Sequence, residues 1–245
     1  MADRHGPWEP ASAWGARGWV VLARAVVALV VLVGVVMAAG GGGHGPSALA
    51  AGRSVAQPTP SPSPPIELSG TGDQVTKPFA LTGGLAVLKV ECPSCKENFI
   101  VELLDDNQQV KDVVANRVGA YSGSRAAGVQ DGDHVLLVDA DAPWSVEITQ
   151  PRDRPAAELP QSSTGSGDQV EGPFAADKRV VVRATHSGGT DFVVTVLDAK
   201  GRVQDLVFNE VGDFDGSAVA QMINAGPYYL NVTADGDWTV DLSEP

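Results

Sequence analysis

The sequence predicts an all-β protein, two tandem antiparallel β-sandwich domains placed after an N-terminal transmembrane helix. Three observations carry that reading. The segment from Asn98 to Ser124 returns from Asp191 to Ser217 with 12 of 27 positions identical and no gap. Short strand-like runs alternate with turn residues throughout both copies. An apolar stretch occupies Trp19–Ala39 near the N-terminus.

The repeat extends beyond its best-matched part. Gly-Asp-Gln-Val stands at Gly72 and again at Gly167, Pro-Phe at Pro78 and Pro173, and a tryptophan at Trp144 and Trp238. A chain of 245 residues accommodates one large or two modest domains, and the duplication decides for two. The boundaries read as follows: a cytoplasmic leader over 1–18, the apolar segment over 19–39 and a Gly then Pro/Ser-rich linker over 40–66. Repeat 1 covers 67–151, a second linker 152–163 and repeat 2 164–245.

Trp19–Ala39 is apolar apart from Arg24. At roughly 1.5 Å per residue it makes a helix about 31 Å long, enough for a bilayer core of about 30 Å. Arg24 lies one turn inside, within snorkelling reach of the headgroups. The positive-inside rule then leaves the leader in the cytoplasm and the repeats outside. A cleaved signal sequence is the competing reading, with uncharged core Ala25–Ala39 and an A-x-A site at Ala48-Leu49-Ala50. Both readings export the repeats. The following GRSVAQPTPSPSPPI tends to an extended, polyproline-like spacer.

Charge narrows the partners. The whole chain carries −13. Residues 1–50 carry +1 (Arg4, Arg17 and Arg24 against Asp3 and Glu9), which leaves −14 for residues 51–245. Such a pair of domains repels phosphates, so no nucleic acid partner is expected. The membrane is expected to be met through the N-terminal helix alone.

Within repeat 1 the strand-like runs are Phe79–Leu81, Leu85–Val90, Phe99–Leu104, Val110–Asn116, Arg125–Val129, His134–Asp139 and Trp144–Thr149. Turn residues separate them every eight to twelve positions, the spacing of a sandwich. Repeat 2 shows the same from Arg179–Ala184 through Phe192–Leu197 and Tyr228–Thr233 to Trp238–Leu242. Period-2 alternation turns Phe99 and Phe192, and Trp144 and Trp238, toward the cores.

The pattern G-D-Q-V…P-F…N-F-x-V-x-L-x-D…N-x-x-G-x-Y-x-G-S…W-x-V-x-I-x-Q-P resembles a small β-sandwich module of exported bacterial proteins. In outline it is also similar to jelly-roll modules such as the bacterial pre-peptidase C-terminal domains. The resemblance covers both copies and implies a jelly-roll-like accessory module. It brings no catalytic residues. Repeat 2 departs from it with Asp191 for Asn98 and Phe214 for Tyr121.

Candidate sites are few. Cys92 and Cys95 lie between two strand-like runs, aligned with Thr185–Gly188 at the offset of 93. Export favours a disulfide; a redox pair needs a helix N-terminus, and zinc needs further ligands. Paired aspartates at Asp131/Asp133, Asp139/Asp141, Asp213/Asp215 and Asp235/Asp237 lack EF-hand spacing and suit ordinary turns. No cofactor or metal is expected. His134 and His186 are the only histidines of the repeats, and G-x-S-x-G is absent, so no enzyme is expected. Asn231-Val232-Thr233 matches a glycosylation sequon.

Aromatic side chains are the remaining handle. Tyr121 and Phe214 fall in Gly-flanked turns, and Tyr229 falls on the outward alternation. They are candidates to stack on a sugar or protein, with plugging of the sandwich ends as the competing role for Tyr121 and Phe214. The expectation is a non-enzymatic, membrane-anchored protein presenting two modules at the cell surface, with a cell-wall or extracellular glycan or a protein as partner. The alternative is a secreted carbohydrate-binding or enzyme-accessory protein released by signal peptidase.

Overall fold

Val, Thr and alternating apolar residues favour pleated, half-buried strands. In the computed structural model, which describes residues 64–245, every regular element is a strand. Repeat 1 contains β1 (Ile66–Thr71), β2 (Gln74–Val75), β3 (Phe79–Leu81), β4 (Gly84–Cys92), β5 (Asn98–Asp105), β6 (Val110–Val118), β7 (Tyr121–Val129), β8 (Gly132–Asp139) and β9 (Pro143–Thr149). Repeat 2 contains β10 (Gln161–Ser166), β11 (Gln169–Phe174), β12 (Arg179–Ser187), β13 (Asp191–Asp198), β14 (Val203–Val211), β15 (Phe214–Gln221), β16 (Tyr228–Ala234) and β17 (Asp237–Ser243). The apolar segment 19–39, the leader and all but the end of the first linker lie outside the described residues. No helix among the described residues is long and apolar enough to cross a membrane.

The strands form four antiparallel sheets, and the two copies repeat one order. Repeat 1 has β1-β9-β4-β7 and β2-β8-β5-β6, with β3 also on β8. Repeat 2 has β10-β17-β12-β15 and β11-β16-β13-β14. Even the irregularities recur. Register shifts fall at Val101/Glu102 and Leu103/Leu104 in the first copy, and at Val194/Thr195 and Val196/Leu197 in the second. One core lies between the sheets of each copy, and Phe99, Trp144, Phe192 and Trp238 are buried in them.

The repeated motif has a physical reason. Gly72 and Gly167 take φ of 72° and 70°, a region open to glycine without a Cβ penalty. Their carbonyls accept from the indoles, Trp144 Nε1 at 3.1 Å and Trp238 Nε1 at 2.9 Å. The next residue caps the returning strand: Asp73 Oδ1 accepts from Ala140 N, and Asp168 Oδ1 from Ala234 N. Each tryptophan ring lies where a Cβ on Gly70 or Gly165 would stand. Turn, cap and indole therefore form one unit in each copy.

Several boundaries differ from the sequence reading. Ile66 already pairs with Ile148 and belongs to β1, not to the linker. The second linker is shorter than 152–163, because Gln161, Ser162 and Ser163 are in β10. Its middle is also strapped to repeat 2 by a bridge from Ala157 to Phe174. Tyr121 and Phe214 open strands rather than occupying turns. Cys92 pairs with Tyr121 while His186 pairs with Phe214, so the repeat 2 equivalent of Cys92 is His186 and not Thr185.

Candidate functional site

Two faces that period-2 alternation turns away from the cores meet each other. The outer face of β4 and β7 in repeat 1 lies against the outer face of β11, β13 and β16 in repeat 2. Leu85, Ala126, Leu197 and Tyr229 form a third apolar cluster there, with Val87 and Val170 at its margin. Both repeats belong to one compact unit.

Polar groups fix the register of this joint. Asn231 is 8% exposed; its Oδ1 accepts from Ala126 N at 2.8 Å and its Nδ2 donates to Ala126 O at 2.9 Å. A side-chain amide thus completes the free edge of β7 as a neighbouring strand would. Leu85 N donates to Ala199 O, Ser124 N to Asp168 O, and Val170 N to Ser124 Oγ. Asp168 is the hub. Its carboxylate accepts from Arg117 Nη2 at 2.9 and 3.2 Å, from Tyr121 Oη at 2.9 Å and from Ala234 N. Burial, and then the adjacent Asp168 charge, raise the Tyr121 phenol well above its ordinary range. It is therefore a fixed donor at neutral pH.

Glycines permit the closest approach. A Cβ on Gly201 would stand 2.2 Å from Gly128 Cα, and Gly201 has φ of 71°. In repeat 1 the same turn position holds Gln108, at φ of 59° and with no module against it.

The candidate ligand-facing aromatics thus serve mainly as packing. Tyr229 is 2% exposed and donates to Pro151 O at 3.1 Å; its outward alternation points into repeat 2's neighbour, not to solvent. Tyr121 is half-buried, 5.9 Å from Phe99 between ring centroids, with its ring across Gly123. Its edge also borders a shallow depression beside Pro93 and Glu91. Phe214 is half-buried too, packed on Phe192 and Phe208. The sequon asparagine is enclosed in the joint, which leaves no room for a glycan.

Other chemistry-bearing groups have local partners. The Sγ atoms of Cys92 and Cys95 are at bonding distance, 2.00 Å. His134 and His186 are buried; Nδ1 of each faces a carbonyl, of Gly132 and Gly212, while Nε2 of each has no hydrogen-bond partner among the described residues, that of His186 lying 4.0 Å from Asp235 Oδ1. His186 stacks on Phe192 at 5.0 Å. The turn aspartates hold backbone N–H groups: Asp105 those of Asn107 and Gln109, Asp198 those of Lys200 and Arg202, Asp235 those of Thr190 and Asp191. No group of three or more His, Cys, Asp or Glu among the described residues is placed to hold a metal. A cleft of about 380 Å³ runs along the joint, lined by Val87, Lys89, Glu147, Asp168, Gln169 and Val170.

The sequence marks Asn231 only as a sequon and Asp168 only as part of the repeated Gly-Asp-Gln-Val, and it marks neither Gly128 nor Gly201. For three of them the signal lies in differences between aligned copies: Asn231 where repeat 1 has Leu137, Gly128 where repeat 2 has Gln221, and Gly201 where repeat 1 has Gln108; Asp168 matches Asp73 and carries no such signal.

No family model matches the chain, and no curated protein does. Among solved structures, a conserved protein of unknown function, PA5104 from Pseudomonas aeruginosa PAO1, matches at 13% identity with a TM-score of 0.21, covering 74% of this chain and 79% of that one. A likeness of that size carries no argument about either fold or function.

Proposed function

We propose that the protein is a non-enzymatic, membrane-anchored extracytoplasmic protein that presents two jelly-roll modules as one rigid body. The strand order supports the jelly-roll reading: counting β2 and β3 together, each copy joins its strands as first-eighth-third-sixth and second-seventh-fourth-fifth, the double-sheet arrangement of eight-stranded jelly rolls. The apolar segment 19–39 and the spacer after it support the anchor.

The joint is the observation that carries the reading. Two of the three aromatics best suited to a ligand are engaged between the modules, and the third is packed into its own core. Both histidines are packed, and the carboxylates of Asp105, Asp198 and Asp235 cap backbone N–H groups. What the molecule offers outward is a rigid, acidic shape on a stalk.

Mass spectrometry of the membrane fraction tests the anchor, with protease treatment of intact cells alongside. The expected product retains residues 1–50 and loses its repeats to external protease. A mature product starting near Ala51 in the medium replaces this reading with the secreted accessory protein.

A further inference from the structure

The two copies close the same edge of the sandwich differently. In repeat 1, Ile66 and Leu68 on β1 face inward and pack against the core. Register places Gln161 and Ser163 of β10 at those positions, opposite Leu242 and Val240 as Ile66 and Leu68 stand opposite Ile148 and Val146. The strand across the edge changes in step. The repeated motif reads GDQVTKPF over 72–79 and GDQVEGPF over 167–174, so Glu171 replaces Thr76. Glu171 pairs with the core residue Leu230, and residues directly opposite in an antiparallel ladder share a face. Its carboxylate therefore points between the sheets, where Ser163 Oγ donates to it at 3.1 Å.

Two large apolar side chains are thus exchanged for an amide and a hydroxyl, with a carboxylate facing them. A crevice of about 220 Å³ opens there. Its floor is the edge of the core at Phe174, Leu230, Val240 and Leu242. Its outer wall is the strap, which Ala157 ties to Pro173 O and Ala175 N, and which brings the exposed Arg154 to the mouth. Among the described residues neither Glu171 nor Arg154 forms an ion pair. An ionised carboxylate offers about four acceptor sites, and Ser163 is the one donor to Glu171 among those residues. In repeat 1, by contrast, the Thr76 hydroxyl accepts from Leu136 N. An inward polar group short of partners is not accounted for by packing.

We propose that this crevice binds a free amino acid with an apolar side chain. Its ammonium meets Glu171 and Ser163, its carboxylate meets the Arg154 guanidinium, and its side chain covers Leu230, Val240 and Leu242. Charge selects this class: a lone cation would meet Arg154 and a lone anion Glu171, whereas a molecule with both charges satisfies each. Size agrees. An apolar cavity of about 150 Å³ holds benzene, so 220 Å³ takes one ring or branched chain with its charged ends and excludes a peptide. A small concave site with a few convergent polar groups is the usual form of such a pocket. The site belongs to repeat 2 and stands for anchored and released protein alike.

Isothermal titration of the full chain in mild detergent with L-leucine and L-phenylalanine tests this. Saturable one-to-one binding of at least one of them is expected. N-acetyl-leucine, which lacks the ammonium, and leucinamide, which lacks the carboxylate, should each bind about tenfold more weakly or worse. Glu171→Gln and Arg154→Gln should weaken the amino acid by a similar factor. Ser163→Leu restores the apolar seal of repeat 1 and should abolish binding while keeping or raising the melting temperature. Absence of saturable binding by either amino acid overturns the proposal. Equal binding of leucinamide or N-acetyl-leucine overturns it too, even if Glu171→Gln folds poorly. Unchanged binding by a folded Ser163→Leu places the ligand elsewhere and also overturns it.

Discussion

Tyr121 Oη donates to Asp168 Oδ2 at 2.9 Å across the joint, whereas Phe214, the equivalent of Tyr121, packs on Phe192 and Phe208 in its own core. One hydroxyl, present in one copy only, thus separates a strand that holds a neighbour from one that does not. Asp168 is buried where its equivalent Asp73 is exposed, which is the imprint of the module lying over it.

Tyr121→Phe removes one of three side-chain and backbone donors to Asp168 and should cost about 1 kcal/mol. Asp168→Ala leaves Arg117, Tyr121 Oη and Ala234 N without their acceptor and should cost roughly 2–4 kcal/mol. Urea unfolding of both, with the double variant, should show a coupling of at least about 0.5 kcal/mol. Additive effects would remove this contact from the joint.

Gly201→Ala and Gln108→Gly should act in opposite directions. The first adds a Cβ 2.2 Å from Gly128 Cα and strains a left-handed backbone, destabilising by more than about 1 kcal/mol. The second relieves a glutamine held at φ of 59° and should be neutral or stabilising by up to about 1 kcal/mol. Thermal melts compare the two directly; the same sign for both contradicts the assignment.

Trp144→Ala and Trp238→Ala each empty a core site and orphan a glycine carbonyl. The expected cost is roughly 3–5 kcal/mol for either, read as a lowered urea midpoint. A change within about 0.5 kcal/mol would contradict their burial.

Acid should weaken the fold through the turn aspartates. Burial pushes Asp235 up, but the N–H groups of Asp191 and Thr190 and the Thr190 hydroxyl outweigh it and hold the carboxyl below its ordinary value. Hydrogen bonds from Lys111 and then Gln109 lower Asp105. A lowered folded value contributes stability above the unfolded pKa of about 3.9, lost as pH falls through the folded one. Burial raises Asp112 and Asp139, and these two act in the reverse sense. Asp235→Asn should therefore lower the melting temperature at pH 7 and have little effect near pH 2. An equal loss at both would show that its charge is not the cause.

Long apolar alternations were legible: Phe99–Leu104 and Trp144–Thr149 each lie within an observed strand. β1 and β10 were not, because IELSGT and QSSTGS carry little apolar signal and pair as sheet edges. Tyr229 shows the limit most clearly. Alternation correctly turned it away from its own core, yet a strand's pattern says nothing about a second module covering that face. The glycines of the joint were ambiguous for the same reason, since Gly128 alone reads as a weak point in a strand until Gly201 is brought against it.

Scanning calorimetry of the repeats tests most directly whether the joint makes them one body. A single transition is predicted, with calorimetric and van't Hoff enthalpies equal, the mark of one cooperative unit. Two separable transitions, one per repeat and each unmoved by Asp168→Ala, would contradict the account.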